Sequence, residues 1–349
     1  MNPKDQRYLA LDGLRGFAAI AVVLFHCGHH LHTPWLFGHG AVAVDVFFVM
    51  SGFVLHRIYG PRFRAGWTFR DFARARFVRL YPLYFAGLIV GLGVVSGLAG
   101  RDGLDEQWGS LLRAFVDGSM LVPDLSNPDG LIFPLNPTFW SLLVEAVVSL
   151  GYGLSRGRVG PCGLSFLIGG SAIVLALASL QGVPLLVGGT AAMLGANLCR
   201  GVFGFSVGMA IAGLERRGAL RVLSRCPAWI AFGLLGAVMF VPDAPPQHLF
   251  DLCAILVVAP IIGCLGVAGR LHPRFHTWCQ MGGALSYPLY TVHAPVLFWV
   301  ARTCLVDPRP AGANLAMMLA TTGACIVVAL TVGLRIEGRQ TSALRSATA

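Results

Sequence analysis

Apolar runs of membrane length, separated by short polar stretches, make up most of this 349-residue chain. A transmembrane helix needs about 20 predominantly apolar residues, because each residue advances ~1.5 Å across a hydrocarbon layer ~30 Å thick. Ten runs approach or reach this length, so the pattern predicts an all-α, polytopic transmembrane helical bundle of about ten spans. The predicted spans are residues 9–30, 42–59, 80–98, 138–155, 164–180, 201–214, 229–241, 250–267, 283–304 and 314–334.

The charges between the apolar runs predict the orientation of the bundle. Residues 57–79 contain seven arginines and one acidic residue, whereas residues 101–134 contain six acidic residues and two arginines. Because loops rich in basic residues stay in the cytoplasm, we expect 57–79 and the N-terminus there and 101–134 outside. Ten spans make both termini cytoplasmic. We expect one transmembrane domain over 1–335 and a short disordered cytoplasmic tail at 336–349.

The stretch 184–217 is long enough for two short spans. Two spans would place Arg216, Arg217 and the arginines that follow outside, against the charge rule. We therefore expect 184–199 to form a short outer or re-entrant helix, and only 201–214 to cross the membrane.

The composition favours a membrane protein and argues against nucleic acid as a partner. The chain is 56% hydrophobic and 12% charged, whereas a soluble domain carries about 25% charged residues. The placement of its net charge of +10 is explained by membrane orientation. Lys4 is the only lysine, and arginine suits bidentate contact with phosphate or carboxylate. The nine cysteines form no CxxC pair, which indicates small buried side chains.

Arg15 and His26 are separated only by apolar and glycine residues in the first span. Eleven helical steps amount to about 1100°, so the two side chains share a helix face roughly 16 Å apart along the axis. Ionisable side chains inside a membrane usually face a protein interior or a wet cavity. The pair is therefore predicted to line one buried chamber.

Two acidic residues, Asp45 and Glu145, lie well inside predicted spans. A buried carboxylate needs a partner or a proton. The partners considered are His26, Arg15 and the Arg76/Arg79 pair. The alternative is that both carboxylates form structural ion pairs that fix the register of the helices.

His26 has three possible functions. It can act as a general base or acid, it can be a packing histidine with satisfied hydrogen bonds, or it can bind a metal together with His30 at spacing i, i+4. The third is disfavoured because no suitably placed acid or cysteine joins the two histidines. We expect no metal site.

Arg76 and Arg79 are three residues apart and therefore neighbours on a helix. A topological anchor at the lipid headgroups is one interpretation. The other is a cytoplasmic phosphate clamp, which a nucleotide-carrying donor such as coenzyme A requires.

Several further polar or aromatic residues occupy predicted spans. They can line the chamber or simply support packing and the membrane interface. These candidates are Ser51, Trp140, Ser141, Tyr287 and His293.

Six segments in the same order resemble the acyltransferase 3 family of integral-membrane acyltransferases, and they cover nearly the whole chain. The first is the Arg-x10-His pattern of Arg15 and His26. The others are AVDVFFVMSGFVL, RFVRLYPLY, FWSLLVEAVVSL, RGVFGFSVGMAIAGL and LSYPLYTVHAPV. The family's acidic segment usually reads WSLSVEEQFY, so this chain keeps Glu145 but lacks the second acid and the aromatic pair.

The resemblance implies about ten transmembrane helices and transfer of an acyl group, often acetyl, from a cytoplasmic coenzyme A thioester. Acceptors in such proteins include hydroxyls of surface polysaccharides, lipid-linked sugars and macrolides. It also implies that Arg15 and His26 are essential, that Arg76, Arg79 and Glu145 are functional, and that the protein resides in a bacterial inner membrane among its lipids.

These observations lead to the hypothesis of a multi-pass O-acyltransferase with acyl-CoA, often acetyl-CoA, as donor. His26 takes the proton of the acceptor hydroxyl, Arg15 holds donor phosphate or the oxyanion, and Glu145 or Asp45 orients His26. Acceptor specificity is assigned to 101–134 and 184–199. The alternatives are a transporter or flippase with a polar central pathway, and a membrane sensor using the same cavity. The sequence leaves the oligomeric state open.

Overall fold

The computed structural model describes residues 8–30, 37–101, 108–126, 130–241, 247–304 and 311–347. Twelve α-helices and no extended strand occur in these ranges. The helices are α1 Leu9–His30, α2 Val42–Arg64, α3 Phe69–Arg101, α4 Trp108–Ser119, α5 Phe139–Leu154, α6 Pro161–Leu180, α7 Leu194–Arg216, α8 Trp229–Met239, α9 Gln247–Cys253, α10 Ala259–Ala268, α11 His276–Cys304 and α12 Ala311–Ala347.

The all-α helical bundle is confirmed, and each predicted span contains a helix. Seven helical segments in the described part of the chain are long and apolar enough to cross a membrane. They are α1, α2, α3, α6, α7, α12 and the continuous segment Gln247–Ala268, in which a π-helical stretch joins α9 to α10. The helices α5 and α8 are shorter but apolar. The total of ten spans and the cytoplasmic location of both termini stay predictions.

The structure moves two helix boundaries on the side that we predict to be cytoplasmic. Helix α3 begins at Phe69, eleven residues before the predicted span, because Thr68 and Asp71 cap it reciprocally. The Thr68 backbone N–H donates to Asp71 Oδ2 at 2.8 Å, and the Asp71 N–H donates to Thr68 Oγ1 at 3.3 Å. At the other end of the chain, the α12 backbone stays helical to Ala347, through most of the predicted disordered tail.

The prediction of a short helix at 184–199 is wrong. Residues 184–193 form turns that pair with the loop before α5, where the Ile132 N–H donates to the Gly189 carbonyl at 2.8 Å. Gly189 has φ +92°, a left-handed conformation that glycine adopts without strain. Helix α7 then starts at Leu194, seven residues earlier than predicted.

Small residues allow several helices, among them α1, α2, α7 and α11, to approach one another closely. The most extensive contacts join α1 to α11 and α2 to α7. A Cβ on Gly16 of α1 would lie 2.5 Å from the Gly282 Cα of α11, and one on Gly52 of α2 would lie 2.0 Å from the Phe205 carbonyl oxygen of α7. Such backbone contact is typical of membrane helix pairs. It brings the chemistry-bearing faces of α1 and α11 together.

Candidate active site

A cavity of 590 Å³ lies between α1, α2, α3, α5 and α11. Its charged lining consists of three arginines and two carboxylates: Arg15, Arg76, Arg79, Asp12 and Glu145. The arginines lie in the N-terminal halves of α1 and α3, which our predicted topology places towards the cytoplasmic side. An arginine-rich chamber of this kind suits an anionic ligand.

Glu145 links two other side chains of the cavity lining by hydrogen bonds. Its Oε1 accepts from Arg76 Nη2 at 2.7 Å and from Ser51 Oγ at 3.0 Å. The Arg76 side chain is only 9% exposed, and its buried Nε–H has no hydrogen-bond partner in the described part of the chain. Because buried donors are normally satisfied, this Nε–H is a vacant donor on a charged group beside the cavity.

Arg15 and Arg79 keep most of their hydrogen-bonding capacity for a ligand. In the described ranges Arg15 forms no hydrogen bond, and its Nη1 lies 3.9 Å from Asp12 Oδ1, too far for one. Arg79 is exposed and forms no hydrogen bond or ion pair with any other described residue. The predicted Arg76/Arg79 clamp is thus divided: Arg76 is neutralised by Glu145, and Arg79 is free.

Three hydroxyl groups face the inner part of the cavity. The Tyr287 hydroxyl donates to the Leu80 carbonyl at 2.9 Å, while the Ser141 and Tyr290 hydroxyls are 2.5 Å apart. The Tyr290 hydroxyl also lies 3.3 Å from the Thr138 carbonyl. Tyr290 lines the cavity and contacts His293, with 5.6 Å between ring centroids. It therefore stands between the cavity and the two histidines.

His26 and His293 form a pair outside the cavity lining. His293 Nε2 lies 3.4 Å from His26 Nδ1. The Nδ1 of His26 is 2.9 Å from the Val22 carbonyl, and that of His293 is 2.8 Å from the Tyr290 carbonyl. Since a carbonyl oxygen only accepts, both Nδ1 atoms carry the proton. No group in the described ranges hydrogen-bonds His26 Nε2, which leaves a basic nitrogen free.

Asp45 pairs with Arg200, a residue that sequence reasoning missed. Arg200 Nε donates to Asp45 Oδ1 at 3.0 Å and Nη2 to Oδ2 at 2.8 Å, and both side chains are almost fully buried. Asn197 accepts from Arg200 Nη1 at 2.9 Å, and the Trp140 ring lies under the guanidinium. The sequence feature that could have identified Arg200 is that it is a lone arginine in an apolar segment. It was missed because the predicted span began one residue after it.

The structure corrects the partners considered for Asp45, whereas Glu145 pairs with Arg76, one of the partners considered. Asp45 does not pair with His26, Arg15, Arg76 or Arg79, and neither Asp45 nor Glu145 orients His26. Seven of the predicted site residues line the cavity, two form the histidine pair, and two surround Arg200. These three groups are Arg15, Ser51, Arg76, Arg79, Ser141, Glu145 and Tyr287; His26 and His293; and Asp45 and Trp140.

Potential metal ligands do not cluster in the residues that the structure describes. No group of three or more histidine, cysteine, aspartate or glutamate side chains is arranged to hold an ion there.

Comparison with known proteins matches the sequence of this chain to a family. Residues 8–334 match the acyltransferase 3 family, described as an acyltransferase domain. Protein 2 in the picA locus of Rhizobium radiobacter is 33% identical over 192 residues, which is 50% of this chain and 96% of that protein. Acyltransferase MdmB of Streptomyces mycarofaciens is 30% identical over 172 residues, covering 44% of this chain and 40% of the relative.

A longer alignment links the chain to the putative peptidoglycan O-acetyltransferase YrhL of Bacillus subtilis. The two are 27% identical over 326 residues, which is 84% of this chain and 49% of the relative. The chain therefore spans about half or less of the length of MdmB and YrhL. No solved structure gives a significant match. Because the family match covers residues 8–334, nearly the whole sequence, and the helices reach membrane length, the chain is an integral membrane protein that belongs to the acyltransferase 3 family.

Proposed function

We propose that this enzyme transfers an acyl group, often acetyl, from coenzyme A to a hydroxyl of a carbohydrate. The acceptor is a surface polysaccharide or a lipid-linked sugar at the outer side of a bacterial inner membrane. The observation that carries the proposal is the cavity of 590 Å³, which three arginines line and whose lining residue Tyr290 contacts the pair of His26 and His293.

The free guanidinium donors support a phosphate-bearing donor. Arg79 and Arg15 have unused N–H groups, and Arg76 adds a buried one. Guanidinium groups bind phosphate oxygens through short, charge-assisted hydrogen bonds. Of the two functions considered for Arg15, contact with donor phosphate fits better than contact with the oxyanion, because eleven helical residues, roughly 16 Å, separate it from His26.

The free Nε2 of His26 supports general-base catalysis. In the proposed reaction, the acceptor oxygen attacks the thioester carbonyl carbon while Nε2 takes the hydroxyl proton. The C–S bond then breaks, and the thiolate leaves and receives that proton. The products are an ester and coenzyme A with a free thiol. The thioester must pass Tyr290 to reach His26, since Tyr290 separates the cavity from the histidines.

The similarity to YrhL supports a glycan acceptor, because that relative is named a putative peptidoglycan O-acetyltransferase. We assign acceptor specificity to residues 101–134 and 184–199. The second of these segments reaches Trp140, because a Cβ on Gly188 would lie 2.3 Å from that ring. Residues 102–107 and 127–129 of the first segment lie outside the described residues.

Release of free thiol from acetyl-CoA by the detergent-purified protein tests the proposal. Glycans from a strain lacking the gene serve as acceptors, and mass spectrometry records their acetylation. We expect wild-type turnover and a loss of at least a hundredfold in His26→Ala, in line with general-base catalysis worth about 10²–10⁴-fold. Movement of substrate without thioester cleavage would favour a transporter, and full activity of folded His26→Ala would refute the assignment of His26.

A further inference from the structure

We propose that His293 is a positioning residue for His26: its Nε2 accepts the Nδ1 proton of His26 from behind the ring and directs the free Nε2 of His26 to the substrate. This inference rests on the proposed function, since it concerns how the general base is held. It assigns His293 a place behind the base and not in the donor-binding cavity.

The tautomers of both rings follow from their backbone contacts. The Val22 carbonyl, 2.9 Å from His26 Nδ1, requires a proton on that nitrogen. The Tyr290 carbonyl, 2.8 Å from His293 Nδ1, and the Leu289 carbonyl, 3.2 Å away, require the same of His293. His293 Nε2 is then unprotonated, and its lone pair faces the His26 Nδ1–H at 3.4 Å. Only one direction of this contact is compatible with both rings.

The arrangement matches what a general base needs. In serine hydrolases an acceptor behind the imidazole holds the Nδ1–H, fixes the tautomer and stabilises the imidazolium that forms. Here the Val22 carbonyl and His293 share that position. The two acidic residues expected there are engaged elsewhere, Glu145 with Arg76 and Asp45 with Arg200.

His293 is held rigidly enough to do this. Its side chain is fully buried, and the two carbonyls of its own helix fix its Nδ1. The close contact of α1 with α11 places the two rings at a centroid separation of 5.2 Å. A positioning group must itself be fixed, because movement of its side chain would allow the ring of the base to move as well.

His293→Leu and His293→Gln separate positioning from packing. Leucine fills space without an acceptor, whereas the glutamine Oε1 can accept near the place that Nε2 occupied. We expect kcat for acetyl-CoA cleavage to fall about 10- to 100-fold in His293→Leu, as loss of a hydrogen bond to a charged group predicts, and KM to change less than twofold. His293→Gln should recover at least a third of the wild-type kcat. The matched control is His29→Leu, an exposed histidine on the same helix as His26, with kcat within twofold of wild type.

The tautomer itself gives a readout independent of activity. In ¹⁵N-histidine-labelled wild-type protein, signals assigned by difference against His26→Ala should show the proton on Nδ1 of His26. In His293→Leu, the Val22 carbonyl still holds the proton on Nδ1, and we expect the ¹⁵N shift of that nitrogen to change because its second acceptor is lost. A wild-type proton on Nε2 would overturn the proposal even if a variant failed to fold.

The kinetic outcomes are equally decisive. A folded His293→Leu protein with kcat within twofold of wild type, or an equal loss in the leucine and glutamine variants, overturns the positioning of His26. A rise in KM proportional to the loss of kcat/KM would return His293 to substrate binding. If the wild-type protein does not cleave acetyl-CoA while its His26 tautomer is as described, the proposed function fails and the geometry of the pair stands.

Discussion

Asp45 and Arg200 form a buried ion pair. Removing it tests whether the pair stabilises the fold or takes part in catalysis. Sequence reasoning offered Asp45 as a residue that orients His26 or as half of a structural ion pair, and the structure engages both of its oxygens with Arg200. We expect Asp45→Asn and Arg200→Met each to lower the free energy of unfolding. Each folded molecule should retain kcat and KM within about threefold, since the pair lies outside the cavity lining.

The size of the effect follows from burial. The Arg200 side chain is 0% exposed and that of Asp45 2%, so either group left alone is a charge without solvent. Removing one partner of a buried pair costs about 3–5 kcal/mol, whereas replacing both by apolar groups is often neutral. The loss of stability in Arg200→Met should reach this range, because the Asp45 carboxylate is then buried without a partner. The double variant Asp45→Leu/Arg200→Met should be at least ~2 kcal/mol more stable than Arg200→Met.

Unfolding by SDS titration in mixed micelles measures these differences, and thiol release per folded molecule measures the chemistry. The coupling of the two substitutions comes from the cycle of wild type, Asp45→Leu, Arg200→Met and the double variant Asp45→Leu/Arg200→Met. An Asp45→Asn protein as stable as wild type but inactive would refute the structural assignment and restore Asp45 to the catalytic machinery.

Two further substitutions probe helix packing and donor binding. Gly52→Ala should destabilise the protein by about 2–3 kcal/mol, because the new methyl group would lie 2.0 Å from the Phe205 carbonyl oxygen. Gly93→Ala, with no atom within 4 Å, is its control in the same SDS titration and should cause no loss. Arg79→Gln should raise the KM for acetyl-CoA at least tenfold at unchanged stability, as expected for a lost charge-assisted hydrogen bond. Arg74→Gln on the same helix should leave KM unchanged, and equal effects of the two would contradict a phosphate contact by Arg79.

The helices were predictable because their information is local. Apolar runs of membrane length mark the helices wherever the thickness of the bilayer sets their length, and every predicted span contains a helix. The failures lie where something other than hydropathy sets the boundary. Capping by Thr68 and Asp71 extends α3, and the paired turns at 184–193 replace a predicted helix.

The site was predictable as a set of residues but not as a set of contacts. Hydropathy identifies costly groups such as Glu145 inside a span, yet it does not say which helices are neighbours. The contact between His26 and His293 joins residues 267 apart in sequence, and that between Asp45 and Arg200 joins residues 155 apart. Both depend on close helix packing, which is a property of the assembled bundle.

Tyr290 and Phe47, whose ring centroids are 6.0 Å apart, have a consequence for the membrane itself. A passage wide enough for an acyl thioester would also conduct protons and ions if it stayed open, and each elementary charge crossing 100 mV dissipates about 2.3 kcal/mol. Both rings line the cavity, and the hydrogen bond between the Tyr290 and Ser141 hydroxyls holds Tyr290 in place. In the proposed acylation across the bilayer, these side chains would separate the donor from the base and also keep the passage closed to ions, so that transfer would not discharge the membrane potential.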